Sequence, residues 1–189
     1  MRTNRKTDVL LVVDFQNDFI TGSLAVNGAE ELVGITNKYL KLFRKAVLSK
    51  DRHKADHPSF KEQGGPWPAH CVDNTYGVEI HSGISFPDNI MVASVDKGWH
   101  EEAYSAFDRT GLDTMLKTMG VKRIFICGLA TDYCIKATTL DAIEKTKADV
   151  FLLTDAIKAV NINEDDGDKA IKEMTDAGAV LITLKDLED

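Results

Sequence analysis

Short apolar runs alternate with amphipathic stretches along most of this chain. Runs at 8–13, 46–48, 90–93, 123–127, 150–153 and 179–183 predict strands. Between them, Leu32, Ile35, Tyr39, Leu42 and Phe43 recur at helical spacing within residues 30–45. Residues 112–119, 133–145 and 164–177 carry the same period. Gly120 and Gly178 read as stop signals for the first and last of these, and Asn163 as the N-cap of the last.

Strands that alternate with helices predict an α/β fold, a parallel sheet with helices on both faces joined by right-handed crossovers. In such sheets the ligand lies beyond the carboxyl ends of the strands. That rule sorts the polar residues. Asp14 ends the first strand, Asp51 and His53 follow the second, Lys97 the third and Cys134 the fourth. A single polar residue at a strand end is the ordinary consequence of loops facing water. Five of these chemical types at one edge of a sheet predict a site.

Residues 51–89 depart from the alternation. Gly64-Gly65-Pro66-Trp67-Pro68 cannot lie inside a helix or strand. Trp67, His53, His57, His70 and the prolines predict an ordered binding loop there.

Cys134 stands where an apolar strand turns into a helix. A helix N-terminus favours a thiolate over a thiol, and its N–H groups can hold an oxyanion. A thiol nucleophile needs a base, which Asp14 can be. It also needs a cation between carboxylate and thiolate, which Lys97 can be. Taken alone, each has a blander reading: a small core residue, a turn former and a solvated lysine.

Asp51 and His53 are two residues apart, so in extended chain their side chains share one face. His70, across the loop, can close a third position. Asp with two His, leaving open positions, is a donor set for zinc, iron or manganese. His57 and Glu62 are candidate fourth ligands, each also readable as a surface residue. Cys71 ranks below its neighbour His70 because adjacent side chains diverge. Phe19, Trp67, Tyr104 and Tyr133 flank these positions and can stack a flat aromatic ligand.

Composition narrows the classes. The chain of 189 residues reads as one domain, 1–189, and at 43% hydrophobic it can bury a core without disulfides. Its three cysteines form no framework, which predicts a reducing, cytoplasmic setting. Cys127, inside an apolar strand, reads as core. The run at 9–13 is too short for a signal peptide, and no stretch is long enough to cross a membrane. Net charge is −7, from 23 basic and 30 acidic residues, with the basic ones scattered. That argues against nucleic acid as a partner. Gly22, Gly28 and Gly34 form no phosphate-cradling loop.

Several segments, in order, carry a resemblance. They are Val12-Val13-Asp14-Phe15-Gln16-Asn17-Asp18-Phe19, Asp51-Arg52-His53, Gly65-Pro66-Trp67-Pro68-Ala69-His70-Cys71, Lys97-Gly98 with Ala103-Tyr104-Ser105, and Gly128-Leu129-Ala130-Thr131-Asp132-Tyr133-Cys134. Over nearly its whole length the chain resembles the nicotinamidase/pyrazinamidase group of the isochorismatase-like cysteine hydrolases. The resemblance implies a three-layer α/β/α sandwich around a six-stranded parallel sheet. It implies Cys134 as nucleophile, Asp14 as proton shuttle and Lys97 as their cation. It further implies one divalent metal, zinc ahead of iron or manganese, on Asp51, His53 and His70, where it binds a pyridine nitrogen. Backbone N–H groups of Ala130 and Cys134 match the oxyanion hole, and the Leu129–Ala130 bond matches a cis peptide. Phe19 and Trp67 match residues that sandwich the ring. The implied reaction takes nicotinamide, and pyrazinamide alike, to the acid and ammonia through a thioester, a step of NAD salvage.

Two departures stand out. Arg52 replaces an aromatic or hydrophobic residue, at a position expected to point away from the metal. The loop from His53 to His70 is short, so water can take the place of a fourth protein ligand. Three rivals remain: an amidase of the same superfamily for a carbamoyl or ureido substrate or isochorismate, a binding module without chemistry, and a redox protein. The last lacks a resolving cysteine. The expected partner is a small molecule, with no nucleic acid and no membrane; self-association into a homo-oligomer stays open.

Overall fold

The computed structural model describes residues 1–187. Every residue of β1 (Asp8–Val13) is buried, which explains its unbroken apolar run. Leu10 and Val12 face one core, together with Tyr39 and Leu40. Val9, Leu11 and Val13 face a second core built with Leu112, Leu116, Ala142, Ala170 and Met174. Alternate residues of a strand point to opposite faces, so one run serves two layers.

After β1 come α1 (Asn17–Ile20), α2 (Leu32–Leu42), β2 (Lys45–Asp51), β3 (Met91–Lys97) and α3 (Leu112–Thr118). They are followed by β4 (Arg123–Leu129), α4 (Lys136–Lys145), β5 (Asp149–Lys158), α5 (Asp166–Asp176) and β6 (Val180–Ile182). The six strands are ordered β3-β2-β1-β4-β5-β6, all parallel, as expected. Helix α2 packs on one face; α3, α4 and α5 pack on the other. The chain runs outward from β1 to β3, then returns to β4 and runs outward the other way. The crevice beyond β1 and β4 is therefore the switch point where such sheets bind ligands. At the opposite end, Arg123 joins these two strands by donating from Nε and Nη2 to the Asp8 carboxylate, at 2.9 and 2.6 Å.

The boundaries differ from the sequence expectation where polarity misleads. The segment expected as helix to residue 45 ends at Leu42, because Lys45 already pairs with Met91 as strand. β3 runs on to Lys97 rather than stopping at 93. It is an edge strand with Met91, Val92, Ser94 and Asp96 exposed, so its apolar signal fades while its pairing continues. β5 runs on through Thr154 and Asp155 to Lys158. The Thr154 hydroxyl donates to the Ile182 carbonyl at 3.2 Å, and Asp155 accepts from the Tyr39 hydroxyl at 2.5 Å. β4 includes Gly128, at φ 118, where a Cβ would lie 2.0 Å from the Val13 carbonyl oxygen. Only glycine lets the end of β4 approach β1 that closely.

Asn163 does not cap α5. Its backbone N–H and side-chain amide donate to the Asp166 carboxylate, and the helix begins at Asp166. The helical segment expected from 133 starts earlier, with a π-helical turn at Thr131–Ile135 that leads into α4. The loop after β2 is ordered, with short 3-10 turns at Lys61–Gln63 and Tyr76–Val78. Bridges join His53 to Val72, Phe60 to Trp67 and Gln16 to Ile80. No helix among the described residues is long and apolar enough to cross a membrane.

Candidate active site

Strand register assembles the floor of the site. Asp51 pairs with Lys97 across β2 and β3, and Val13 pairs with Ser49 across β1 and β2. Cys134 follows β4 in the π-helical turn. Lys97 Nζ, fully buried, reaches Asp14 Oδ2 at 2.9 Å, the Ala103 carbonyl at 2.9 Å and Cys134 Sγ at 3.6 Å. It also donates to Asp51 Oδ1. Asp14, Asp51 and Cys134 each bring one atom within 4.8 Å of the other two. By distance alone that group could hold a metal ion, but the Lys97 ammonium already serves all three.

Asp14 has its own support. The Ser49 hydroxyl donates to its Oδ1 at 2.6 Å, and its backbone lies in the left-handed region at φ 49. Burial pushes the Asp14 carboxyl up and Asp51 adds to this; Lys97 and Ser49 oppose it. Burial also pushes the Asp51 carboxyl up, but Lys97 and His53 outweigh it and hold Asp51 well below the usual carboxylate range. For Lys97, burial works against the charge, and Asp14 and Asp51 overcome it, so the ammonium persists far above neutrality. Burial pushes the Cys134 thiol well up; Lys97 opposes this while Asp14 and Asp51 add to it. The resting sulfur is thus a thiol beside a carboxylate with raised proton affinity, an arrangement suited to proton transfer between the two.

Asp51 also belongs to a second group. Its Oδ2 lies 3.7 Å from His53 Nε2 and 3.9 Å from His70 Nε2. His53 Nδ1 is 2.7 Å from the Gly98 carbonyl, and His70 Nδ1 is 2.8 Å from the Pro68 carbonyl. A carbonyl only accepts, so both Nδ1 atoms carry hydrogen, and in the neutral ring each Nε2 is then bare. His53 Nε2 is buried and has no hydrogen-bond partner. Two bare imidazole nitrogens and a carboxylate oxygen converging within 4.8 Å fit a divalent metal ion, with the carbonyls as outer supports. Gly98 is at φ 78, and a Cβ there would lie 2.6 Å from His53 Cε1. Glycine therefore lets the carbonyl reach the ring.

Neither His57 nor Glu62 is among the three residues that converge within 4.8 Å. The His57 ring packs on His53 at 4.3 Å, with Nδ1 at 2.7 Å from the Ser59 hydroxyl and a buried Nε2 that has no hydrogen-bond partner, and Glu62 is exposed. Arg52 points away, as expected, with Nε donating to Asp73 at 2.8 Å and Nη1 to Asp96 at 3.1 Å.

Above the floor lies a small cleft that opens to solvent. All four aromatic candidates, Phe19, Trp67, Tyr104 and Tyr133, line it, with Asp51, His70, Ala130 and Cys134. Trp67 Nε1–H donates to the Tyr104 hydroxyl at 3.1 Å, and the Tyr133 ring lies 5.2 Å from Trp67. The Leu129–Ala130 peptide bond is cis.

Sequence reasoning missed several participants. Ser49 was legible, since it precedes Asp51 by two residues and shares its strand face. Gln16 carries no chemical signature in the sequence, yet it ties the loop after β1 to β2: its amide donates to the Asp51 carbonyl at 2.7 Å and accepts the Asp51 N–H at 2.8 Å. Glu102 and Val160 also line the cleft, and no local pattern marks either.

Known proteins share this fold and sequence. The isochorismatase domain family matches residues 8–186. A nicotinamidase of Escherichia coli (strain K12) is 35% identical, over 95% of this chain and 96% of its own. PnC1 from L. infantum, solved in complex with nicotinate, superposes with a TM-score of 0.91 at 35% identity, covering 99% of this chain and 98% of its own. A pyrazinamidase of Pyrococcus horikoshii, solved in complex with zinc, gives a TM-score of 0.87 at 38% identity, covering 94% and 99%. The strand order, the assembled floor and a match over almost the whole length lead to one conclusion: this chain belongs to the isochorismatase family.

Proposed function

We propose that this protein hydrolyses nicotinamide to nicotinate and ammonia, with Cys134 as nucleophile. One observation carries the reading: the buried Lys97 ammonium lies 2.9 Å from Asp14 and 3.6 Å from Cys134 Sγ, beneath an aromatic-lined cleft. A thiol, a carboxylate and a shared cation are the parts of covalent amide hydrolysis. The nicotinamidase of E. coli and nicotinate-bound PnC1 support the choice of substrate. Pyrazinamide follows from likeness to the Pyrococcus enzyme. A reducing cytoplasm suits the three cysteines, Cys71, Cys127 and Cys134, which are all free.

Asp14 accepts the Sγ–H proton as the sulfur attacks the amide carbon. The S–C bond forms, and the carbonyl oxygen becomes an oxyanion held by the N–H groups of Ala130 and Cys134. Asp14 gives its proton to the amide nitrogen as the C–N bond breaks, and ammonia leaves. It then takes a proton from a water whose oxygen attacks the thioester carbon. The S–C bond breaks, the sulfur recovers that proton, and the acid departs, giving up its carboxyl proton to solvent as nicotinate. Lys97 offsets the repulsion between carboxylate and thiolate throughout. Phe19 and Trp67 hold the ring, with Tyr104 fixing the indole and Tyr133 packing behind it.

Asp51 Oδ2, His53 Nε2 and His70 Nε2 would hold one divalent ion, zinc in this reading; the same donors serve iron or manganese. Bound there, the ion supplies a Lewis acid for the pyridine nitrogen.

Incubation with nicotinamide is expected to release nicotinate and ammonia in equal amounts. A chelator should raise KM, and added zinc should restore it. Turnover of a carbamoyl or ureido compound instead, indifferent to chelator, would contradict the reading.

The pH profile is a separate test. Asp14 must be ionised to accept the proton, so kcat/KM falls as pH drops through its pKa. Burial raises that pKa, so the acid limb should lie above the ordinary aspartate value of about 3.9. Lys97 and Cys134 both hold their protons well past neutrality, so no alkaline loss is expected near pH 7. An acid limb at or below the free-aspartate value would remove Asp14 from the role.

A further inference from the structure

Asp132 lies two residues before Cys134, buried in the π-helical turn, and the steps above leave its carboxylate unused. Both of its oxygens are taken by consecutive backbone donors. The Val160 N–H donates to Oδ1 at 2.9 Å and the Asn161 N–H donates to Oδ2 at 2.8 Å. Val160 lines the cleft above Cys134. Asn161 holds a left-handed backbone at φ 53, and its side-chain oxygen accepts the Gly167 N–H at 2.8 Å, at the start of α5. Asparagine tolerates that region better than most residues, and bonds to its neighbours hold it there. Charge-assisted hydrogen bonds to both amides are such a constraint.

We infer that Asp132 is a positioning residue: it clamps residues 160 and 161 to the turn that carries Cys134, and so sets Val160 as a fixed wall against the substrate ring. One carboxylate thereby ties the nucleophile's turn to a second segment that lines the cleft. The inference rests on the nicotinamidase reading for its choice of substrate alone.

Asp132→Asn keeps the size but offers a single accepting oxygen and turns an amide donor toward one N–H. The KM for nicotinamide should rise about tenfold while kcat stays within about threefold. Val160→Ala should raise KM by itself, and the double variant should be no worse than Asp132→Asn, because both remove the same wall. Multiplied single effects, or a fall in kcat at unchanged KM, would overturn the clamp. Hydrogen exchange on the unmodified protein reads the clamp without any variant. Both amides should be protected; exchange at the rate of exposed loop amides would overturn it. Absence of nicotinamide turnover in the unmodified protein would defeat the substrate reading and leave exchange to decide on the clamp.

Discussion

Cys134→Ala is expected to abolish nicotinamide turnover, by about 10⁴-fold or more, while the affinity for the ring stays within about threefold. The two effects separate because the parts separate. The sulfur is on the floor with Asp14 and Lys97, whereas Phe19, Trp67 and the Asp51–His53–His70 group form other walls. Removing one buried sulfur leaves the sheet register and the ion pairs of Lys97 intact, so the variant should fold. Steady-state ammonia release and calorimetric titration with nicotinate check the two halves. Residual turnover within tenfold of the unmodified protein would make Cys134 a core residue, the blander reading that its sequence position allowed.

Lys97→Met should damage both activity and stability. The change keeps the length and removes the charge, which leaves Asp14 buried beside Asp51 without its ammonium partner. Leaving such a charge uncompensated costs about 3–5 kcal/mol. For a chain of this size that corresponds to a fall of roughly 10 °C in Tm. Turnover should fall at least about 10³-fold, because Asp14 is then protonated and the thiolate has no neighbouring cation. The sign with pH is distinctive. Without Lys97 the folded-state carboxyl pKa values rise, so the penalty is largest where the carboxylates must ionise and shrinks as pH falls and they take up protons. Denaturation of both proteins at neutral and acid pH measures this. A penalty that grows on acidification, or none at all, would mean that Lys97 does not hold the two carboxylates.

The legible parts of this protein were those that depend on residue type and short periods. The apolar run of β1 gave its double burial, and the rule for strand ends brought Asp14, Asp51, Lys97 and Cys134 to one place. The two-residue period put Asp51 and His53 on one face, and the same period reached Ser49 unused. Strand ends were misjudged where function or edge position replaced apolar residues, as in β3 beyond Ala93 and β5 at Thr154–Asp155. Backbone partners were illegible in principle. The Gly98 carbonyl that fixes the His53 tautomer, and the Val160 and Asn161 amides on Asp132, carry no side-chain signature. Val160 and Glu102 reach the cleft from distant segments, which a local pattern cannot report. Spacing offered the donor set Asp51, His53 and His70 without choosing among zinc, iron and manganese, and family resemblance added that choice and the substrate.

The most direct test is to quench the protein with acid during nicotinamide turnover and weigh its peptides. One nicotinoyl group is expected in thioester linkage on the peptide that carries Cys134, absent from Cys134→Ala. An acyl group on any other residue, or rapid turnover in the variant that lacks this sulfur, would contradict it.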